Sequence, residues 1–71
     1  MRVWLIEARK RADMTQRELA GMANISQNHY SAIENGSRRP SPEVSKILAN
    51  ALGLNWVRFY DEHSERRERA I

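Results

Sequence analysis

Apolar positions recur three and four residues apart along most of this chain, and residues that start or stop helices separate the runs. Nothing alternates with the period of two that a half-buried strand needs. The clearest run is Val44, Ile47, Leu48, Ala51 and Leu52, spaced i, i+3, i+4, i+7, i+8, which predicts one apolar helix face. Ser41 precedes it as a cap, with Pro42 at the first helical position. Gly53 ends it, and Leu54 is placed to fold back over the last turn. Nearer the start, Leu5, Ala8 and Ala12 predict a first helix over about 3–11. Thr15, with Glu18 three residues on, forms a capping box for a second helix whose buried stripe is Leu19, Ala20 and Ala23. Asn24 suits the left-handed conformation that stops it. Ser26 caps a third helix over about 27–34, and Ile25 and Tyr30 staple its entry. Ile33 continues the buried face, and Gly36 stops the helix. Asn55 caps a fifth segment in which Trp56, Phe59 and Tyr60 again fall at i, i+3, i+4.

The expected fold is therefore all-α, a compact five-helix domain over residues 1–62. A charged tail, 63–71, follows, in which Glu65, Arg66, Arg67, Glu68 and Arg69 mix in sign. The 71 residues allow one small apolar core and no deep multilayer pocket, which excludes most enzyme architectures. A composition 41% hydrophobic and 30% charged is globular. The absence of Cys excludes disulfides and thiolate metal sites and fits a reducing compartment. No apolar run approaches the roughly 18 residues of a membrane span, and Glu7 and Arg9 cut short the apolar opening that a leader would need. The expectation is a cytoplasmic protein without a membrane partner. Twelve Lys and Arg against nine Asp and Glu give a net charge of +3, whose sign favours an acidic partner such as nucleic acid.

Candidate chemistry concentrates on the second and third helices, whose short connection is the layout of a helix-turn-helix. Most of the third helix facing away from Tyr30 and Ile33 is polar yet uncharged: Gln27, Asn28, His29 and Ser31. Between Gly21 and Ile33 no residue carries a full charge. Gln and Asn amides offer a donor and an acceptor together, matching the N6/N7 edge of adenine, and the Ala32 methyl can meet a thymine methyl. A carboxylate there would be repelled by phosphates, and a Lys would bind backbone without discriminating bases. A solvated helix face would share this composition. The flanks favour the other reading: Gln16 opens the second helix, where side chain and backbone amides can meet a phosphate, while Asn35, Arg38 and Arg39 follow the third.

The run Met14-Thr15-Gln16-Arg17-Glu18-Leu19-Ala20, then Ile25-Ser26-Gln27, then Tyr30-Ser31-Ala32-Ile33-Glu34-Asn35-Gly36, carries a family pattern. Arg39-Pro40-Ser41 and Leu48-Ala49-Asn50-Ala51-Leu52-Gly53-Leu54 complete it. Over residues 3–60 the chain resembles the lambdoid phage repressor and Cro family of XRE-type helix-turn-helix proteins. That resemblance implies a DNA-binding transcriptional regulator, in most readings a repressor, acting as a homodimer on a pseudo-palindromic operator of double-stranded DNA. It implies base contacts from Gln27, Asn28 and Ala32, which Ser31 on the same polar face joins as a candidate. It implies phosphate contacts from Gln16, Asn35, Arg38 and Arg39, with Gln16 packed beside Gln27; Arg17, Tyr30 and His29, the last otherwise a solvated helix residue, are further phosphate candidates from the residues themselves. Arg9 and Glu34 match a partly buried ion pair that orients the recognition helix. The chain departs from the pattern at Asn24 and Asp13, where Gly is frequent. It departs also at Tyr30, usually aliphatic, whose hydroxyl is expected within reach of a phosphate. Ala32 stands where some members carry a base-reading side chain, which gives weight to operator shape.

Trp56, Phe59 and Tyr60 supply core area and are the candidate dimer interface. The alternatives left open are an antitoxin or interaction adaptor of the same fold, met by a toxin or antirepressor protein, and a restriction-modification controller. His29 and His63 are neither clustered nor joined by Cys, so no metal is expected. No cofactor is implied, and no nucleophile, base or phosphate loop stands at a spacing that supports catalysis.

Overall fold

The computed structural model describes residues 1–61, so the charged tail expected over 63–71, with His63, lies outside the described residues. Four helices run in order: α1 Val3–Arg11, α2 Gln16–Met22, α3 Gln27–Asn35 and α4 Pro42–Leu52. A further helical turn, α5, covers 58–61, and no strand occurs among the described residues. This is the five-helix order that the sequence predicts. α5 starts later than expected because the Asn55 Oδ1 accepts from the Val57 N–H, which curls 55–57 into a turn first.

Local chemistry accounts for the boundaries from the end of α1 to the end of α4, whereas α1 begins after Arg2 without a side-chain cap. The Thr15 hydroxyl accepts from the Glu18 N–H at 3.1 Å while the Glu18 carboxylate accepts from the Thr15 N–H at 2.8 Å, closing the capping box of α2. Ser26 and Ser41 accept from the N–H groups of His29 and Val44 in the same way. The C-terminal ends share one device. Asp13, Asn24, Gly36 and Gly53 all have positive φ, between +57° and +86°. At Asp13, Asn24 and Gly53 the following N–H reaches back five residues: Met14 to Arg9, Ile25 to Ala20, and Leu54 to Ala49. This is the Schellman closure, which satisfies carbonyls that a helix end otherwise leaves without partners. Asp13 occupies such a corner as the non-glycine type that, with Asn, best tolerates it.

The core gathers Leu5, Leu19, Ala20, Ala23, Tyr30, Ile33, Leu48 and Phe59. Trp4, Met14, Ile25, Val44 and Ile47 pack around it half-buried. Two assignments from periodicity shift. Ala12 is exposed, because α1 ends at Arg11 and Ala12 serves as its C-cap. On α4 the most buried residues are Ser45, Leu48 and Ala49, a rotation of the expected stripe towards its small residues. The buried Ser45 hydroxyl lies 3.4 Å from the Tyr60 hydroxyl, which explains a polar group at that position.

Candidate nucleic-acid interface

α3 divides into two faces. Tyr30, Ile33 and Glu34 are buried, whereas Gln27, Asn28 and Asn35 are exposed and His29, Ser31 and Ala32 half-buried. The uncharged amides of Gln27 and Asn28 occupy the first turn, the part of a recognition helix that meets base edges. Arg17 is exposed on α2, and Arg38 and Arg39 are exposed on the loop after α3. One amide-bearing helix is thus flanked by cations from two elements.

Beyond the core packing of Tyr30 and Ile33, one carboxylate ties α3 to both preceding helices. Glu34, 3% exposed, receives three side-chain donors. Arg9 Nε on α1 donates to its Oε2 at 2.7 Å, Tyr30 Oη one turn earlier donates to the same oxygen at 2.7 Å, and Gln16 Nε2 on α2 donates to Oε1 at 2.9 Å. Arg9 also donates from Nη1 to the Met14 carbonyl at 3.0 Å, at the α1–α2 corner. Burial pushes the Glu34 carboxyl up, but the hydrogen bonds from Arg9, Tyr30 and Gln16 outweigh it and hold the group below its ordinary range. The hydrogen bond to Glu34 raises Arg9, and burial, joined by the nearby Glu34, raises the Tyr30 hydroxyl. The site is charged at Glu34 and Arg9 and neutral at Tyr30, so every hydrogen bond has one donor and one acceptor.

Three expected roles change. Tyr30 is fully buried and spends its hydroxyl on Glu34, which removes it from the phosphate set. Phe59, 1% exposed, meets the edge of Trp4 at 5.0 Å between ring centroids and belongs to the core, not to a dimer surface. The Gln16 side chain remains at the start of α2, but its amide nitrogen is engaged by Glu34. Arg9 and Glu34 form an ion pair, with Arg9 14% and Glu34 4% exposed at the side chain.

Two residues that the sequence reading did not assign shape the loop after α3. Arg2 is buried, and its Nη1 donates to the carbonyls of Ile33 and Arg38, at 2.5 and 3.1 Å, while its own N–H donates to the Glu34 carbonyl at 2.7 Å. A guanidinium thereby neutralises the carbonyl end of the recognition helix. Pro40, fully buried, is gripped from the other side: Tyr60 Oη donates to its carbonyl at 2.8 Å. Arg2 precedes the first periodic residue, and no local pattern signals contact with a residue 31 positions away. Among the described residues no group of three or more His, Cys, Asp or Glu can hold a metal ion. No helix among them is long and apolar enough to cross a membrane.

An all-helical domain with a polar recognition helix, capped turn and basic margins defines the helix-turn-helix class. The helix-turn-helix family model matches residues 5–59, and the chain belongs to the XRE-type branch of that family, whose members are DNA-binding transcription regulators. It is similar to YqaF of Bacillus subtilis (strain 168), an uncharacterized HTH-type transcriptional regulator. The two are 42% identical over 62 residues, which span 87% of this chain and 82% of the relative. No solved structure matches the chain.

Proposed function

We propose that this protein is a sequence-specific transcriptional repressor that inserts α3 into the major groove of a pseudo-palindromic operator as a homodimer. The observation that carries the reading is the exposure of Gln27 and Asn28 on a helix whose opposite face is buried, with exposed Arg38 and Arg39 beside its end. Bidentate amides read adenine, and the cations hold phosphate without reading sequence. Ser31 and Ala32 lie along the same groove-facing side. Gln16, through the backbone amides opening α2, Arg17, His29 and Asn35 complete the backbone contacts with the two loop arginines. The half-buried Trp56 and Tyr60, with the exposed Val57, form the surface on which two copies meet. Two-fold symmetry then places two recognition helices about 34–36 Å apart on one side of the duplex. The kinship with a transcriptional regulator supports the same reading.

Gel retardation on the DNA upstream of the gene, against random duplex of equal length, tests it. The expected result is a complex on the upstream DNA that survives competitor and a footprint with two-fold symmetry. Retention of the complex only in the presence of the neighbouring gene's product would favour the antitoxin or adaptor reading. Equal binding to both duplexes would overturn sequence specificity.

A further inference from the structure

The loop from Ser37 to Pro40 projects two arginines outward while its carbonyls are held from within. Arg2 takes the Arg38 carbonyl and Tyr60 takes the Pro40 carbonyl, so the backbone on both sides of Arg39 is fixed. Tyr60 does more than anchor the chain. The Arg39 guanidinium carbon lies 5.6 Å from the centre of the Tyr60 ring, and Trp56 meets that ring edge-on at 5.8 Å. A stacked guanidinium keeps its N–H edges available, so the ring restrains where Arg39 points without consuming its donors. An exposed Arg otherwise gives up rotamer freedom when it engages a ligand.

We propose that Tyr60 is the positioning residue for Arg39: its hydroxyl sets the loop backbone, its ring sets the guanidinium, and the pair presents one prearranged cation to a DNA phosphate. The inference rests on the DNA-binding reading above. Tyr60 itself touches no nucleic acid in this scheme; its ring shares the proposed meeting surface of two copies, while its hydroxyl, bound to the Pro40 carbonyl, acts on affinity through Arg39. Its location in the segment that carries Trp56 also links the proposed meeting surface of two copies to the grip on the duplex.

The test is a double-mutant cycle with Tyr60→Phe and Arg39→Ala in the full chain, read as dissociation constants on upstream and random duplex across a salt series. Tyr60→Phe removes one oxygen and keeps the ring. The expected loss is roughly two- to tenfold, equal on both duplexes, as for one hydrogen bond. Arg39→Ala flattens the log–log salt slope by about 0.9. In the Arg39→Ala background, Tyr60→Phe should cost nothing further, because the residue through which it acts is gone. A merely structural role for Tyr60 would lower binding by the same factor in both backgrounds, and that result overturns the proposal. So does a Tyr60→Phe protein that binds as tightly as wild type. Arg39→Lys, at an exposed position, provides a variant independent of core stability. It keeps the charge without the planar group, and at least twofold weaker binding is expected; equal binding overturns the proposal. A wild type that retards no duplex sinks the DNA-binding reading and this inference with it, whereas any failure confined to the variants sinks only the inference.

Discussion

The Glu34 carboxylate stands 2.7 Å from Arg9 Nε and joins the last turn of α3 to α1 across 25 residues of sequence. A buried charge of this kind is costly to desolvate, and replacing both partners by apolar groups is often neutral. Its value is directional. Arg9 on α1 and Gln16 on α2 reach the same carboxylate from two other helices, and the rotation of α3 that satisfies both turns Gln27 and Asn28 outward.

The Glu34 network makes stability fall in acid. Because the folded carboxyl lies below its ordinary value near 4.5, its contribution is complete above that pH and lost as pH falls through the folded value. Urea titrations at stepped pH should show wild type weakening below that value. Glu34→Gln, less stable at neutral pH, should show a visibly flatter acid limb. Parallel curves for the two proteins would refute the linkage.

Ile33 is fully buried in the face of α3 opposite the amides. Truncation to Ala leaves a cavity and should destabilise by roughly 2–5 kcal/mol, a large share of what so small a domain possesses. The melting transition should fall steeply or vanish. An unchanged melt would mean that this side of the helix does not carry the core.

Gly36 closes α3 at φ +86°, and a Cβ added there would lie 3.2 Å from the Met1 nitrogen. Gly36→Ala thus meets both a left-handed penalty of about 1–2 kcal/mol and a close backbone neighbour. Its urea midpoint should drop accordingly. Stability equal to wild type would show that the corner relaxes freely.

Asn28→Ala should weaken binding to the upstream DNA by about 1–3 kcal/mol and leave random duplex nearly untouched. Competition gel shifts measure both. The same loss on each would reassign Asn28 from bases to backbone.

Arg38→Ala should lower affinity on every sequence and reduce the salt slope by about 0.9, the signature of one lost phosphate contact. A specificity ratio that changes with the substitution would contradict this role.

Helix ends were legible because their causes are local. Thr15 with Glu18, Ser26, Ser41 with Pro42, and Gly53 each act within a few residues, and the structure keeps every one. The amide face of α3 was legible from the spacing of Tyr30 and Ile33. Less could be read where distant segments meet. The inward side of Tyr30 was legible, but not that its hydroxyl is spent on Glu34, a carboxylate that Arg9 and Gln16 reach from other helices. Phe59 and Trp56 share one periodic stripe, yet only packing against Trp4 decides which of them goes inside. Ser45 and Arg2 carry no periodic signal, because their partners lie 15 and 31 positions away.

Left-handed residues at 13, 24, 36 and 53 leave the connecting corners with almost no slack. One residue inserted between Asn24 and Gln27 would swing the start of α3 by about 100° about its axis, carrying Gln27 and Asn28 off their side of the molecule. Such a scaffold tolerates new letters far better than new length. Its repertoire of targets is therefore rewritten by exchanging side chains along one short cylinder, while the number of residues between cylinders stays frozen.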